Sequence, residues 1–179
     1  MQFMLSTSAL IQFDGVSVTR VTQAKSAWCW AACSEMMGKA MYNSSPSTQY
    51  DVVFWLKGTE SEYYPNVGGT LNDTADGSDI ISEYSYYFIT DSILSYSDLV
   101  AEMKSDQPVI AGLHGTLTSH MVVINGTELR DDSSGTSLYV YYIDPWDGTS
   151  HICLYSALCD GSYNGYSYTA SVRVGGKND

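Results

Sequence analysis

The hydrophobic pattern of this chain changes period at Pro108, and that change limits the folds open to it. Before Pro108 the apolar residues recur at helical spacing. In WCWAACSEMMGKAMY, Ala32, Met36, Met37 and Met41 fall on one stripe, which predicts a helix over Trp28–Tyr42. A second helix is expected over Ser47–Leu56, capped by Ser47 and ended by Gly58. Gly58–Gly77, rich in Gly, Asn and Asp, reads as loop. Ser97–Ser105 reads as a short helix capped by Ser97, with Leu99, Val100 and Met103 inward. After Pro108 the runs are β-branched or aromatic and often alternate. Strands are expected over Val109–Leu113, His120–Leu129, Ser137–Ile143 and Tyr166–Val174, with turns at Gly126, Arg130–Gly135, Asp147–Gly148 and Asp160–Gly165. Helices first and strands second is the α+β order. With 179 residues against about 150 for a typical domain, one domain over 1–179 is expected. Its helical lobe would run over about 22–105 and its β lobe over about 106–179.

Charge narrows the function. Eight basic against 20 acidic residues give a net charge of −12. Phosphate binding needs clustered Lys and Arg, so nucleic acid and anionic lipid surfaces are poor partners. No apolar run approaches the roughly 20 residues of a membrane span. Between Gly58 and Met103 there is no Lys or Arg, while Glu60, Glu62, Asp73, Asp76, Asp79, Glu83, Asp91, Asp98 and Glu102 all fall there. That stretch is either a solvated face or an acidic rim that steers a cationic substrate. Met1–Phe13 lacks a basic start and a small-residue cleavage site, so it does not read as a signal peptide, although the composition suits a secreted bacterial-type protein. The tripeptides at Asn43, Asn72 and Asn125 read as surface loops.

Four cysteines are present: Cys29, Cys33, Cys153 and Cys159. Cys29 sits where the first helix begins, and the free N–H groups and partial positive charge there favour a thiolate. Cys33, one turn further in, has no such advantage and reads as core. Cys153 and Cys159 are close enough in sequence for a short loop to pair them. A metal site built on Cys29 and Cys33 is disfavoured, because four-residue spacing on a helix suits zinc poorly without a second close pair. Of the three histidines, His114 and His151 read as loop residues, whereas His120 opens a strong strand. Asp144 ends a later strand just before Pro145, where it can accept Nδ1–H of His120, and Trp146 can cover that bond. Gln23, six residues before Cys29, can fold back so that its NH2 and the Cys29 N–H form an oxyanion hole.

Together these motifs resemble the active-site region of papain-like cysteine peptidases. That family has a glutamine six residues before the cysteine and Trp-Ala after it, as Gln23, Cys29, Trp30 and Ala31 stand here. Its histidine opens a strand with a glycine soon after, as in His120-Met-Val-Val-Ile-Asn-Gly126, and its third member ends a later strand, here Asp144-Pro-Trp146. The WCWAA block, the Asp-Pro-Trp-x-Gly turn and the Tyr155 segment look like the compact bacterial branches. Those include peptidases like the bacteriocin-leader-processing, staphopain and plant-pathogen effector enzymes. The resemblance spans roughly Thr22–Tyr155. It implies a two-lobe fold with the site in the cleft, a Cys29–His120–Asp144 triad with Gln23 in the oxyanion hole, a polypeptide substrate, possibly basic, no cofactor and no particular oligomeric state. Among the departures from papain, the acid is Asp rather than Asn, and the cysteine that papain pairs in a disulfide near its active cysteine is missing. A papain-fold acyltransferase, transglutaminase-like enzyme or deamidase would use the same residues, and a silent binding module would have no chemical need for all four.

Overall fold

Pro108 opens the middle of a sheet. The computed structural model describes residues 9–58, 63–83, 86–132 and 135–175. Its elements run β1 (Ala9–Gly15), α1 (Cys29–Met41), α2 (Gln49–Lys57), α3 (Leu71–Ser82), β2 (Tyr87–Thr90), α4 (Tyr96–Lys104), β3 (Val109–His114), β4 (Ser119–Asp132), β5 (Gly135–Asp144), β6 (Thr149–Leu154), α5 (Tyr155–Asp160) and β7 (Ser167–Val174). The seven strands form one sheet ordered β2-β7-β3-β4-β5-β6, with β1 also paired to β4. Every pairing is antiparallel. The result is α+β: N-terminal helices, then an antiparallel sheet, as in papain-like folds.

Successive strand residues point to opposite faces, and both faces here are covered. Val109, Ala111 and Leu113 join Val122, Ile124, Val140 and Tyr142 in a core closed by Leu99 and Met103 of α4 and Leu158 of α5. Ile110, Val123, Ile143 and Val172 face the other way, onto Cys33, Met36 and Met37 of α1 and Ala75 of α3. That explains why β3 is buried at five consecutive positions instead of alternating. β2 and α4, although they precede Pro108, belong with the sheet, β2 as the neighbour of β7 and α4 on the face opposite α1.

Several local expectations are corrected. The stretch read as loop over Gly58–Gly77 contains the start of α3. Thr70 and Asp73 form a reciprocal capping box, which outweighs the Gly, Asn and Asp content. The helix is poor in large residues because it lies close on α1: a Cβ at Gly77 would sit 2.7 Å from Ser34 Oγ. The α2 cap is Thr48, boxed with Asp51, instead of Ser47, and α4 is capped by Ser95 instead of Ser97. Gly58 ends α2 as expected, at φ 71°. Gly126 is not a turn. It lies inside β4 beside a bulge, where the pairing register with β5 slips between Ile124 and Gly126, so Asn125 is a half-buried strand residue instead of a surface loop. Asn72 lies on α3 instead of in a loop. All four cysteines are free thiols, so the expected Cys153–Cys159 pair is not bonded. Burial, reinforced by the charge of Cys159, pushes the Cys153 thiol up to about 11.

Candidate active site

Cys29 is the first residue of α1, and its surroundings keep that end open. The N-cap, Trp28, provides no side-chain cap, and the first turn carries no acidic residue. Cys29 is the residue of that turn that lines the cleft, with the partial positive charge of the helix start behind it. Two indoles anchor the helix end. Trp28 Nε1 donates to Pro65 O at 2.9 Å and Trp30 Nε1 to Val67 O at 3.1 Å. Asn66 fastens the same loop to the segment before Cys29, accepting from Ala27 N–H at 3.0 Å and donating to Ser26 Oγ at 2.9 Å. Gly69 lies flat on Trp30, where a Cβ would come within 2.3 Å of the ring. Only glycine permits that approach.

His120 and Asp144 arrive from the sheet. His120 is the second residue of β4 and Asp144 the last of β5. Their side chains are 16% and 21% exposed, and His120 Nε2 lies 2.7 Å from Asp144 Oδ1. The Trp146 N–H donates to the same oxygen at 2.8 Å. The expectation that Nδ1 meets the carboxylate is corrected. Val123 pairs with Ile143, so Asp144 lies diagonally from His120, and the far ring nitrogen is the one that spans the gap. Nδ1 is the ring nitrogen left over, and His120 lines the same cleft as Cys29. Burial works against a charge on His120. The hydrogen bonds to Asp144 and Cys29 and their negative charges outweigh it and raise the imidazole from 6.5 to about 10. Burial likewise opposes the charge on Asp144, but the His120 and Trp146 hydrogen bonds hold its carboxyl below the usual range.

Gln23 is not among the residues lining the cleft with Cys29 and His120; it walls a neighbouring pocket with Ser26 and Trp146, which line both, and its amide is turned onto the loop. Nε2 donates to Lys25 O at 2.9 Å and to Ser26 O at 3.0 Å, and Oε1 is buried with no partner among the described residues. The backbone N–H of Gln23 donates to Pro145 O at 2.8 Å, tying it to the turn after Asp144. Trp146 was expected to cover the His120–Asp144 bond. Its indole is 62% exposed and lines the cleft, and its direct bond to the pair is made by its backbone N–H.

Cys33 is fully buried in the core between α1 and the sheet, and burial raises its thiol well above the usual value. His114 Nδ1 lies 3.3 Å from Ser119 Oγ, and His151 lies 3.1 Å from Asp147 with its ring stacked on Tyr142. Neither lines the cleft, which measures about 560 Å³ and is walled by Cys29, His120, Gly68, Gly69, Thr118, Met121, Trp146 and Tyr166 among others. Among the described residues, Tyr63, Tyr64 and Tyr86 do not line it either: Tyr63 and Tyr86 are 70% and 59% exposed, and Tyr64 packs against Tyr50 and Trp28. Tyr84, with Glu60 and Glu62, lies outside the described residues. Gly68 and Gly69 escaped the sequence reading because a Gly pair in a Gly-rich stretch looks like any loop. In the sequence, Tyr166 marks only the start of a strand.

An N-terminal helical layer on an antiparallel sheet, with a cysteine at the helix start facing a sheet-borne histidine, defines the papain-like cysteine peptidase class. A family model described as "Peptidase_C39 like family" matches residues 16–172, and the chain belongs to that family of papain-like, bacteriocin-processing-peptidase-like proteins. A search of curated proteins finds no match.

Proposed function

We propose that this chain is a cysteine endopeptidase that hydrolyses polypeptides through Cys29, His120 and Asp144. The observation that carries the reading is an imidazole that lies 2.7 Å from a carboxylate and lines the same open cleft as the thiol at the start of α1. The raised His120 favours an imidazolium at neutral pH, poised to activate the Cys29 sulfur. Cys29 Sγ attacks the scissile carbonyl carbon, and the C=O electron pair moves onto oxygen. The tetrahedral intermediate collapses, and His120 Nδ1 gives its proton to the departing amine. His120 then takes a proton from water as that water attacks the thioester carbonyl. The second collapse releases the acid and restores the thiolate.

The two oxyanions are held by the Cys29 N–H and Gln23 Nε2. To serve them, Gln23 exchanges Ser26 O, the more exposed of its two acceptors, for the oxyanion. A charged acceptor forms the stronger bond, so the exchange is favourable only while the intermediate exists. A peptide-library digest, with Cys29→Ala as control, tests the reading. Cleavage by the wild type and none by the variant is expected; equal cleavage, or none by either, contradicts it. Adding an amine acceptor to the digest and weighing the products separates hydrolysis from acyl transfer.

A further inference from the structure

Gln49, the first residue of α2, is 5% exposed and lies outside the cleft lining. Its side chain bonds the backbone on both sides of Gln23. Oε1 accepts from the Ala24 N–H at 2.8 Å, and Nε2 donates to the Thr22 carbonyl at 3.0 Å. A neighbouring β-strand would present the same donor and acceptor pair; here one amide supplies both. Gln49 is itself held: its N–H donates to Glu35 Oε2 at 2.8 Å, and Glu35 Oε1 is paired with Lys39 at 2.6 Å. Glu35 and Lys39 both lie on α1. A chain of bonds thus runs from the helix that begins with Cys29, through Glu35 and Gln49, to the two residues flanking Gln23. From the other side, Pro145 O takes the Gln23 N–H, and Gly148, at φ 68°, lies so close to Thr22 that a Cβ would meet Thr22 Oγ1 at 2.2 Å.

We propose that Gln49 is a positioning residue for the oxyanion hole. This rests on the peptidase reading above and extends it. The Gln49 bracket fixes the Gln23 backbone relative to α1, so that only the Gln23 side chain moves when its amide leaves Ser26 O for the oxyanion. Thr22 and Ala24 are exposed, so water can replace the two bracket bonds when Gln49 is changed. The fold therefore survives the loss, while the placement of Gln23 relative to Cys29 loosens. A displacement of about 1 Å at such a donor costs up to roughly 100-fold in rate.

The test is Gln49→Met in the full chain, read by peptide hydrolysis and by alkylation of Cys29 with iodoacetamide, followed on the Cys29 peptide by mass spectrometry. Alkylation uses the thiolate and its imidazolium but builds no oxyanion. The expected result is a fall in kcat of about 10- to 100-fold, KM within about threefold, and an unchanged alkylation rate. The double variant Gln23→Ala/Gln49→Met should be no slower than Gln23→Ala alone, because the bracket acts only through Gln23. An unchanged kcat, an alkylation rate that falls in step with kcat, or additive losses in the double variant would overturn the proposal. Should Gln49→Met fail to fold, Gln49→Glu keeps the acceptor for Ala24 and loses the donor to Thr22, and a smaller fall in kcat with unchanged alkylation is expected; wild-type kcat overturns the proposal. A wild-type protein that cleaves no peptide removes the peptidase reading and this one together. Cleavage by the wild type with full kcat in the Gln49 variants removes this one alone.

Discussion

Cys29 and Cys33 are the same side chain one helical turn apart, and position alone separates their chemistry. Cys29 opens α1 and lines the cleft with His120, whereas Cys33 is sealed in the core. Cys29→Ala is expected to abolish hydrolysis. Cys33→Ala should keep the chemistry and lose about 1–2 kcal/mol of stability, since it leaves a small cavity. A peptide assay beside a urea titration checks both, and loss of activity in a folded Cys33→Ala protein would contradict the assignment. The same scale sets the pH response. Because the folded His120 titrates near 10 against 6.5 unperturbed, its ion pairing stabilises the fold fully below about 6.5 and is lost as pH rises through about 10. Asp144 has the opposite sign: its contribution is complete above 3.8 and is lost as pH falls through its lowered value. Asp144→Asn removes the charge that raises His120, so the alkaline limb of the rate profile should move to lower pH. An unmoved limb would mean that the carboxylate does not govern the imidazole. The placement of these candidate residues was legible in the sequence because each stands at an element boundary that local signals mark. The choice of ring nitrogen was not, because it depends on the register between β4 and β5.

At the scale of elements, legibility follows how local the causes are. α1 shows itself through its own stripe of Ala and Met residues. α3 stays hidden because its small residues serve α1, a partner some 40 positions earlier, as the Ser34–Thr74 contact shows. Gly77→Ala sets two effects against each other. Helix propensity favours Ala by about 1 kcal/mol, but the new Cβ would lie 2.7 Å from both Ser34 Oγ and Val52 Cγ1. Overpacking of this kind costs about 1–3 kcal/mol, so net destabilisation is expected in chemical denaturation. A more stable Gly77→Ala protein would show that α3 can move away from α1. β1 was missed for a related reason: its partner, the outer half of β4, lies more than 110 residues further along, and no nearby residue encodes the pairing.

For the whole molecule, the sheet puts the two halves of the site on elements with opposite demands. α1 delivers a helix end, which supplies positive potential, and β4 and β5 deliver side chains at fixed separation. The papain-like resemblance implied that meeting, and the sequence order of helices then strands pointed only to an α+β chain. It did not show that β2 and α4 would join the sheet, because both are short and their partners lie in the second half of the chain. Net charge acts at this scale as well. At −12, with a stretch free of Lys and Arg over residues 59–102, the molecule should capture basic peptides faster than acidic ones. The advantage in kcat/KM should shrink between low salt and about 0.15 M, where the screening length is roughly 8 Å. Equal kcat/KM for Lys-rich and Glu-rich versions of one substrate, at every ionic strength, would assign the acidic stretch to solvation alone.

The most direct test of the central claim, that Cys29 and His120 form a reactive pair, is chemical and needs no known substrate. Iodoacetamide is reacted with the folded protein at neutral pH, in wild type and in His120→Asn, and each cysteine is followed by mass spectrometry. The account predicts rapid labelling of Cys29 ahead of Cys33, Cys153 and Cys159, slowed at least about tenfold when His120 is replaced. Labelling of Cys29 no faster than the other three, or at the same rate without the imidazole, would contradict it.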